Sequence, residues 1–422
     1  MLLSYSLSIY AQTSPCPADT NVDGVLSPAD FSSWVAAFNT SSALCDQNGD
    51  NSCTPADFSA WVANYNAGCN FADSDGDRIP NIYENNTGTY VAGYATGTNP
   101  NNPDSDGDNL DDGDEIYGTT TGVNLPAMGA NPNRKSIFVE IDWTEDAFDT
   151  SFHSHRPRPG MVSRVQAAFA ASPLTNPDGS TGIDFIIDYG QGGLFTGGTE
   201  ILDGTNPEFL IFGYNWHNDY MDSDRWGYFH HGVFTHRYDS SSNGSSGVAY
   251  INADAFFVTL YQYWDWDEGV ANTLMHEIGH NFGLRHGGDE NLNYKPNYNS
   301  VMNYANQFPG VDTNCDGFGD GILDYSHGFN PDLNENALSE AAGICGVPID
   351  WNENGSINGG TVSRNINCSN LNTTTCGSGS GCYDSTCDIL RDHDDWSNMN
   401  FLGQNRGIQP VRIDCDNPVP NH

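Results

Sequence analysis

His276-Glu277-Ile278-Gly279-His280-Asn281-Phe282-Gly283-Leu284-Arg285-His286 reads H-E-x-x-H-x-x-G-x-x-H. Each fixed position has a mechanical reason. On a helix, residues four apart lie one above the other, so His276 and His280 can offer both imidazoles to one cation. Glu277 sits one step round, beside the metal rather than on it, where it can take a proton from an activated water. Gly283 tolerates positive φ, so the helix can stop there and the chain can turn sharply. That turn returns His286 as a third ligand. Three histidines with a fourth position open describe a catalytic zinc site rather than a closed structural one. A helix that is merely rich in histidine is the plain alternative, and a bare H-E-x-x-H would not exclude it. Five fixed positions serving one mechanism do.

Downstream comes Ser300-Val301-Met302-Asn303-Tyr304. With this pair of motifs the chain resembles the metzincin clan of zinc endopeptidases, whose long zinc motif is followed by a Met-turn. The resemblance implies an α+β catalytic domain: a twisted mixed sheet, an active-site helix, a cleft and the Met-turn. It implies zinc held by His276, His280 and His286, Glu277 as general base, and a protein or peptide substrate. Met302 would form a hydrophobic floor under the histidines. Tyr304 occupies the place where some metzincins carry a movable fifth ligand, with core packing the equal alternative. Gly287 after the third histidine fits none of the best-known families cleanly, so the family within the clan stays open.

Upstream of the motif the pattern is that of an enzyme domain over 135–310. Ser136–Trp143 and Gly182–Asp188 read as buried strands, and Phe209–Gly213 and Gly247–Ile251 as further strand candidates. Val162, Val165, Ala168 and Phe169 give Pro159–Ala171 an amphipathic helical period. By the metzincin analogy the strand at 247–251 lines the cleft and pairs with substrate backbone. Asp265–Glu268 supply acidic capping for the zinc helix. The histidines at 153, 155, 217, 230, 231, 236, 327 and 393 lack ligand spacing and read as structural or solvent-facing.

Residues 15–70 carry a repeat. Asp19-Thr20-Asn21-Val22-Asp23-Gly24 recurs as Asp46-Gln47-Asn48-Gly49-Asp50-Asn51, and Pro28-Ala29-Asp30-Phe31 as Pro55-Ala56-Asp57-Phe58. Asp19, Asn21, Asp23 and Asp30 fall at positions 1, 3, 5 and 12 of an EF-hand-type calcium loop; Asp46, Asn48, Asp50 and Asp57 repeat them. Phe31, Trp34, Val35 and Phe38 form an apolar stripe that Phe58, Trp61, Val62 and Tyr65 repeat, so the two halves should pack together. The pair resembles a dockerin, closest to the GC-type dockerins of bacterial surface proteins, ending here in Gly68-Cys69. That resemblance implies a small all-α module and a cohesin-like docking partner. A purely structural calcium clamp is the alternative.

Residues 71–134 are poor in hydrophobics and hold two twelve-residue acidic strings. Asp73, Asp75, Asp77 and Glu84 mark the first; Asp104, Asp106, Asp108, Asp112 and Glu115 mark the second. Both resemble thrombospondin type 3 repeats, which implies an extended, calcium-stiffened linker. An ordinary disordered acidic linker is the alternative. Residues 311–422 are rich in Cys, Asp and Asn and read as a disulfide- and calcium-stabilised continuation of the protease, or as a separate recognition module.

Composition sets the outer limits. The chain of 422 residues has a net charge of −41 and only 14 Lys and Arg, so nucleic acid and anionic membrane are poor partners. No stretch is long and apolar enough to span a membrane. Eleven cysteines, none in a C-x-x-C pair, point to disulfides in an oxidising compartment, and the odd number leaves at least one outside any intrachain bridge. Residues 1–14 suit a short signal peptide cut after Ala11; the missing basic region then places the natural start further upstream. The expectation is a secreted or surface-associated bacterial zinc endopeptidase. A calcium-dependent adhesion or scaffolding protein with an inert protease-like domain is the alternative.

Overall fold

The computed structural model describes residues 14–146, 153–201, 219–238, 245–260, 263–369, 373–378, 381–401 and 411–415. The signal-peptide reading and the strand expected at 209–213 lie outside these residues, as does His217. The chain forms two compact units, Met1–Lys135 with Asn176–Ser180, and Ser136–Thr175 with Thr181–His422.

In the first unit, α1 (Pro28–Thr40) and α2 (Pro55–Ala67) both begin on a capping box, Ser27 with Asp30 and Thr54 with Asp57. The box satisfies helix N–H groups that have no intrahelical partner. Aromatic side chains join the helices: Phe31 stands 5.3 Å from Trp61 and Trp34 5.6 Å from Phe58, centroid to centroid. Disulfides Cys16–Cys69 and Cys45–Cys53 close the module. Two short helices follow, α3 (Asp112–Tyr117) and α4 (Leu125–Met128).

Residues 71–134 differ from the extended linker that the acidic strings suggest. Ile79 and Tyr83 are fully buried with Cys16, and Val22, Leu26 and Phe71 pack beside them. The Tyr83 hydroxyl donates to Asp19 Oδ2 at 2.7 Å, fastening the segment to the first acidic loop. A few well-placed apolar side chains thus outweigh the low average hydrophobicity. The short segment 176–180 belongs here too, with Lys135 N–H donating to Asn176 Oδ1 at 3.1 Å.

The second unit is built on one sheet. Its central strand β1 (Ser136–Asp146) pairs in antiparallel with β2 (His153–Ser154) at its C-terminal end. After α5 (Pro159–Ala170) come β3 (Asp184–Asp188), β4 (Glu200–Ile201) and β5 (Phe229–Phe234), all three parallel to β1. β6 (Gly247–Ile251) runs antiparallel to β7 (Ala255–Val258), which itself lies parallel to β5. The long helix α6 (Asp267–Asn281) is buried at every position from Gly269 onward. A helix wrapped on all sides needs no polar face, and Val270, Leu274 and Met275 share one core with β1 and α5.

The start of α6 corrects one expectation. Its N-cap is Trp266, with no side-chain cap. Asp265 and Asp267 instead bind Arg158 at 2.7 and 2.6 Å, so the acids act through charge in the first turn and an ion pair. Beyond α6, Tyr325 and Trp396 join the main core, whereas Leu333, Leu338, Trp351 and Ile366 form a second one. Four two-residue strands lie there: β8 (Leu333–Asn334), β9 (Leu338–Ser339), β10 (Thr361–Val362) and β11 (Ile389–Leu390). Disulfides Cys315–Cys345, Cys368–Cys382 and Cys376–Cys387 tie this part together. The last described strand, β12 (Val411–Cys415), returns to the main sheet and pairs with β6 in antiparallel.

Candidate metal centre

The last turns of α6 present His276 and His280 on one face, both fully buried. The Nδ1 atom of His276 lies 2.8 Å from the Val301 carbonyl, and that of His280 lies 2.7 Å from the Leu284 carbonyl. A carbonyl can only accept, so each Nδ1 carries the proton and each Nε2 presents a lone pair. Those two lone pairs face each other at 3.3 Å. Two acceptors so placed repel unless a cation lies between them. Tetrahedral zinc with bonds of about 2.0–2.1 Å would set its nitrogen ligands about 3.3–3.4 Å apart, so the pair fits that ion. Burial drives the His276 pKa down to about 4 and those of His280 and His286 well below the ordinary value, which keeps the rings neutral and ligand-competent.

His286 completes the set because the helix stops where it does. Gly283 has φ +92° and its N–H donates to the His280 carbonyl at 2.9 Å. A Cβ at Gly283 would meet Asn252 Oδ1 at 2.5 Å. Replacing Gly283 by Ala should cost about 1–3 kcal/mol of stability from the backbone conformation and displace Asn252. It should also weaken zinc binding by moving His286; thermal unfolding and a competitive zinc titration check both effects. Met302 is fully buried, and a Cβ on Gly279 would strike its sulfur at 2.4 Å. Glycine between the two helical histidines is therefore what lets methionine lie against the helix.

Glu277 is fully buried beside the histidines, and its Oε1 finds no hydrogen-bond donor among the described residues. Burial pushes its carboxyl well above the usual range, opposed by a hydrogen bond from Cys415. A cation at the imidazoles would draw it back down. Gly247 faces it: a Cβ there would meet Glu277 Oε1 at 2.3 Å. Tyr304 is half-buried beside the histidines. Its ring lies 4.4 Å from that of His286, and its hydroxyl donates to the Asp414 carbonyl at 3.5 Å.

One residue at the centre escaped the sequence reading. Cys415 is in none of the five disulfides and is buried. Its Sγ lies 3.3 Å from Glu277 Oε2, 3.4 Å from His280 Nε2 and 3.8 Å from His286 Nε2. His276, His280, His286 and Cys415 form one potential metal-holding group. The odd cysteine number was the only signal of it.

Other histidines have local partners. His231 Nε2 lies 2.8 Å from Asp142 Oδ2, His230 Nδ1 3.2 Å from Asn281 Oδ1, and His393 Nδ1 2.8 Å from Asp395 Oδ1. His153, His155 and His236 also converge. There the His155 Nδ1 proton points to the Thr144 carbonyl, 2.6 Å away, so its Nε2 accepts at 3.1 Å from His153 Nε2. A ring-to-ring hydrogen bond joins that pair, while the Nδ1 of His236 is buried without a hydrogen-bond partner among the described residues.

The acidic positions cluster in the first unit. Asp19, Asp23 and Asp30 form one group, and Asp73, Asp75 and Asp77 another. Asp30 and Asp57 each accept N–H groups from their own loops, from Thr20 and Ser27 and from Gln47 and Thr54 respectively. Asp46 collects Gly49, Asp50 and Asn51, while Asn48 Oδ1 accepts from Asp50. The Asn21 amide donates to Asp23 at 2.7 Å. Asp104 holds the Gly107 and Asn109 N–H groups, Asp108 that of Leu110, and Asp112 holds Ser105. By contrast, both oxygens of Asp75 and of Glu115, and one each of Asp77, Glu84 and Asp106, are buried without a donor among the described residues. Burial raises Asp77 to about 7 and Glu84 to about 8, with neighbouring aspartates adding to the rise.

A family model described as Metallo-peptidase family M12B Reprolysin-like matches residues 212–287, which include all three histidines and Glu277. No curated protein matches the chain. The matched segment is similar to a metallopeptidase domain, which supports a metalloprotease and suggests zinc-dependent peptide hydrolysis.

Proposed function

We propose that this chain is a secreted zinc endopeptidase of metzincin type, with His276, His280 and His286 holding the metal and Glu277 acting as general base. The observation that carries the reading is the pair of buried Nε2 lone pairs 3.3 Å apart, with a Glu277 carboxylate oxygen alongside that has no donor among the described residues. Bound zinc would polarise the scissile carbonyl and acidify a water. Glu277 then takes that water's proton and passes it to the leaving amine. The edge of β6 holds substrate backbone as an added strand. The buried imidazoles and Met302 keep the site dry and the ligands in register.

The first unit is read as a calcium-holding anchor. Buried carboxylate oxygens without donors are costly unless a cation meets them, and hard carboxylate sets at alternate positions suit calcium. Phe31, Val35, Phe58 and Val62 on α1 and α2 remain 36–44% exposed, an apolar face that fits a cohesin-like protein partner. Five disulfides favour an extracellular, surface-associated protein. Among the described residues no helix is long and apolar enough to cross a membrane. The adhesion or scaffolding alternative accounts for the acidic unit but leaves the zinc geometry and Glu277 without a purpose.

Metal analysis and casein hydrolysis test the proposal together. Purified protein should carry about one zinc per chain. Any casein hydrolysis should vanish with 1,10-phenanthroline and return with added zinc. Folded protein that takes up no zinc would overturn the reading.

A further inference from the structure

The sheet edge that should receive substrate is already taken. β12 pairs with β6 over five residues, from Val411 opposite Ile251 to Cys415 opposite Gly247. The final residue of that pairing is fastened: the Cys415 carbonyl accepts the Ser246 N–H at 3.1 Å and the Ser245 hydroxyl at 2.8 Å. Beside it, Tyr304 holds the Asp414 carbonyl, and the Arg412 guanidinium lies 5.3 Å over the Tyr238 ring.

The Cys415 sulfur lies where a fourth ligand belongs. For tetrahedral zinc with a sulfur bond of about 2.3 Å and nitrogen bonds of about 2.0–2.1 Å, sulfur and nitrogen ligands stand about 3.5–3.6 Å apart. The observed separations of 3.4 and 3.8 Å bracket that value. The same sulfur is 3.3 Å from Glu277 Oε2, so it also fills the space in which Glu277 would meet water. Strand pairing and donor geometry are independent observations, and both place 411–415 inside the catalytic cleft.

We propose that the metal centre is closed by its own chain, as a four-coordinate site of three histidines and the Cys415 thiolate, with β12 lying in the place of substrate. The thiol binds by giving its proton to solvent, as a metal-bound cysteine must. Withdrawal of β12 opens the fourth position, uncovers Glu277 and exposes the β6 edge in one movement. The resting protein is therefore latent through a segment that follows the catalytic histidines in the chain. This inference rests on the zinc reading above.

Cobalt(II) tests it on the full-length protein. Exchanged for zinc in wild-type protein, cobalt should show a near-ultraviolet thiolate-to-metal charge-transfer band. Cys415→Ala should bind one cobalt without that band. Its hydrolysis of casein should rise about tenfold or more, since the fraction of open chains sets the wild-type rate. Wild-type protein alone decides the question if Cys415→Ala fails to fold, because zinc should protect the thiol from Ellman's reagent and chelation should expose it. One bound cobalt with no thiolate band in wild type would overturn the inference and leave the zinc reading standing. No cobalt in either protein would overturn both.

Discussion

In the Cys415→Ala background, Glu277→Ala is expected to lower kcat/KM for peptide hydrolysis by about 10²–10⁴-fold with zinc content unchanged. The background matters because the Cys415 sulfur occupies the space beside Glu277 Oε2. Alanine removes the group that receives the water proton but touches none of the three imidazoles, whose positions are held by Val301, Leu284 and the turn at Gly283. Metal analysis beside steady-state kinetics separates a lost base from a lost site. The acid limb of the pH profile carries the same information. Protonation of Glu277 removes the base, so activity should fall on the acid side, at a pH set by burial, which raises the carboxyl, against the charge of bound zinc, which lowers it. That limb should be absent from the residual activity of Glu277→Ala.

Calcium removal should produce the second large effect, confined to the first unit. One cation site saturated about 100-fold over its dissociation constant contributes about 2.7 kcal/mol. At about 3–4 °C per kcal/mol for a unit of this size, chelation should lower the unfolding midpoint by about 8–11 °C for each such site. Differential scanning calorimetry with and without EGTA measures it. The pH dependence should reverse between the two conditions. Without calcium, Asp77 at about 7 and Glu84 at about 8 hold protons in the folded state that they lose in the unfolded one. Their stability is present below about pH 4 and is lost as pH rises through 7 to 8. With calcium, the carboxylates must be ionised to bind, so stability should rise over the same range. An unchanged midpoint on chelation would remove calcium from the account of this unit.

What could be read from the chain was whatever chemistry repeats at short range. The zinc motif spans one helix and its turn, so His276, His280, Gly283 and His286 declare themselves by spacing alone. Strands β1, β3 and β6 follow from apolar runs, and the acidic loops from alternate Asp. The misses share a cause, which is contact between distant residues. Cys415 lies 129 residues beyond His286, within a cysteine-rich tail that made it look like one more disulfide partner. Tyr83 reaches Asp19 across 64 residues, and this single bond helps to fold a segment whose composition suggests extension. Arg158 claims Asp265 and Asp267 across more than a hundred residues, replacing the capping role that local sequence suggests.

The pairing of β12 with β6 has a cost on the far side of activation. An edge strand with its N–H and C=O groups unsatisfied is a template for any extended chain that meets it. Once β12 has left, β6 does not distinguish a meal from a neighbour: the vacated edge can take a substrate, a fragment of digested protein or the loosened tail of another copy. The opened enzyme is thus the form most prone to stick to itself and to cut itself, and its working life is shortest where it is most concentrated and substrate is scarce.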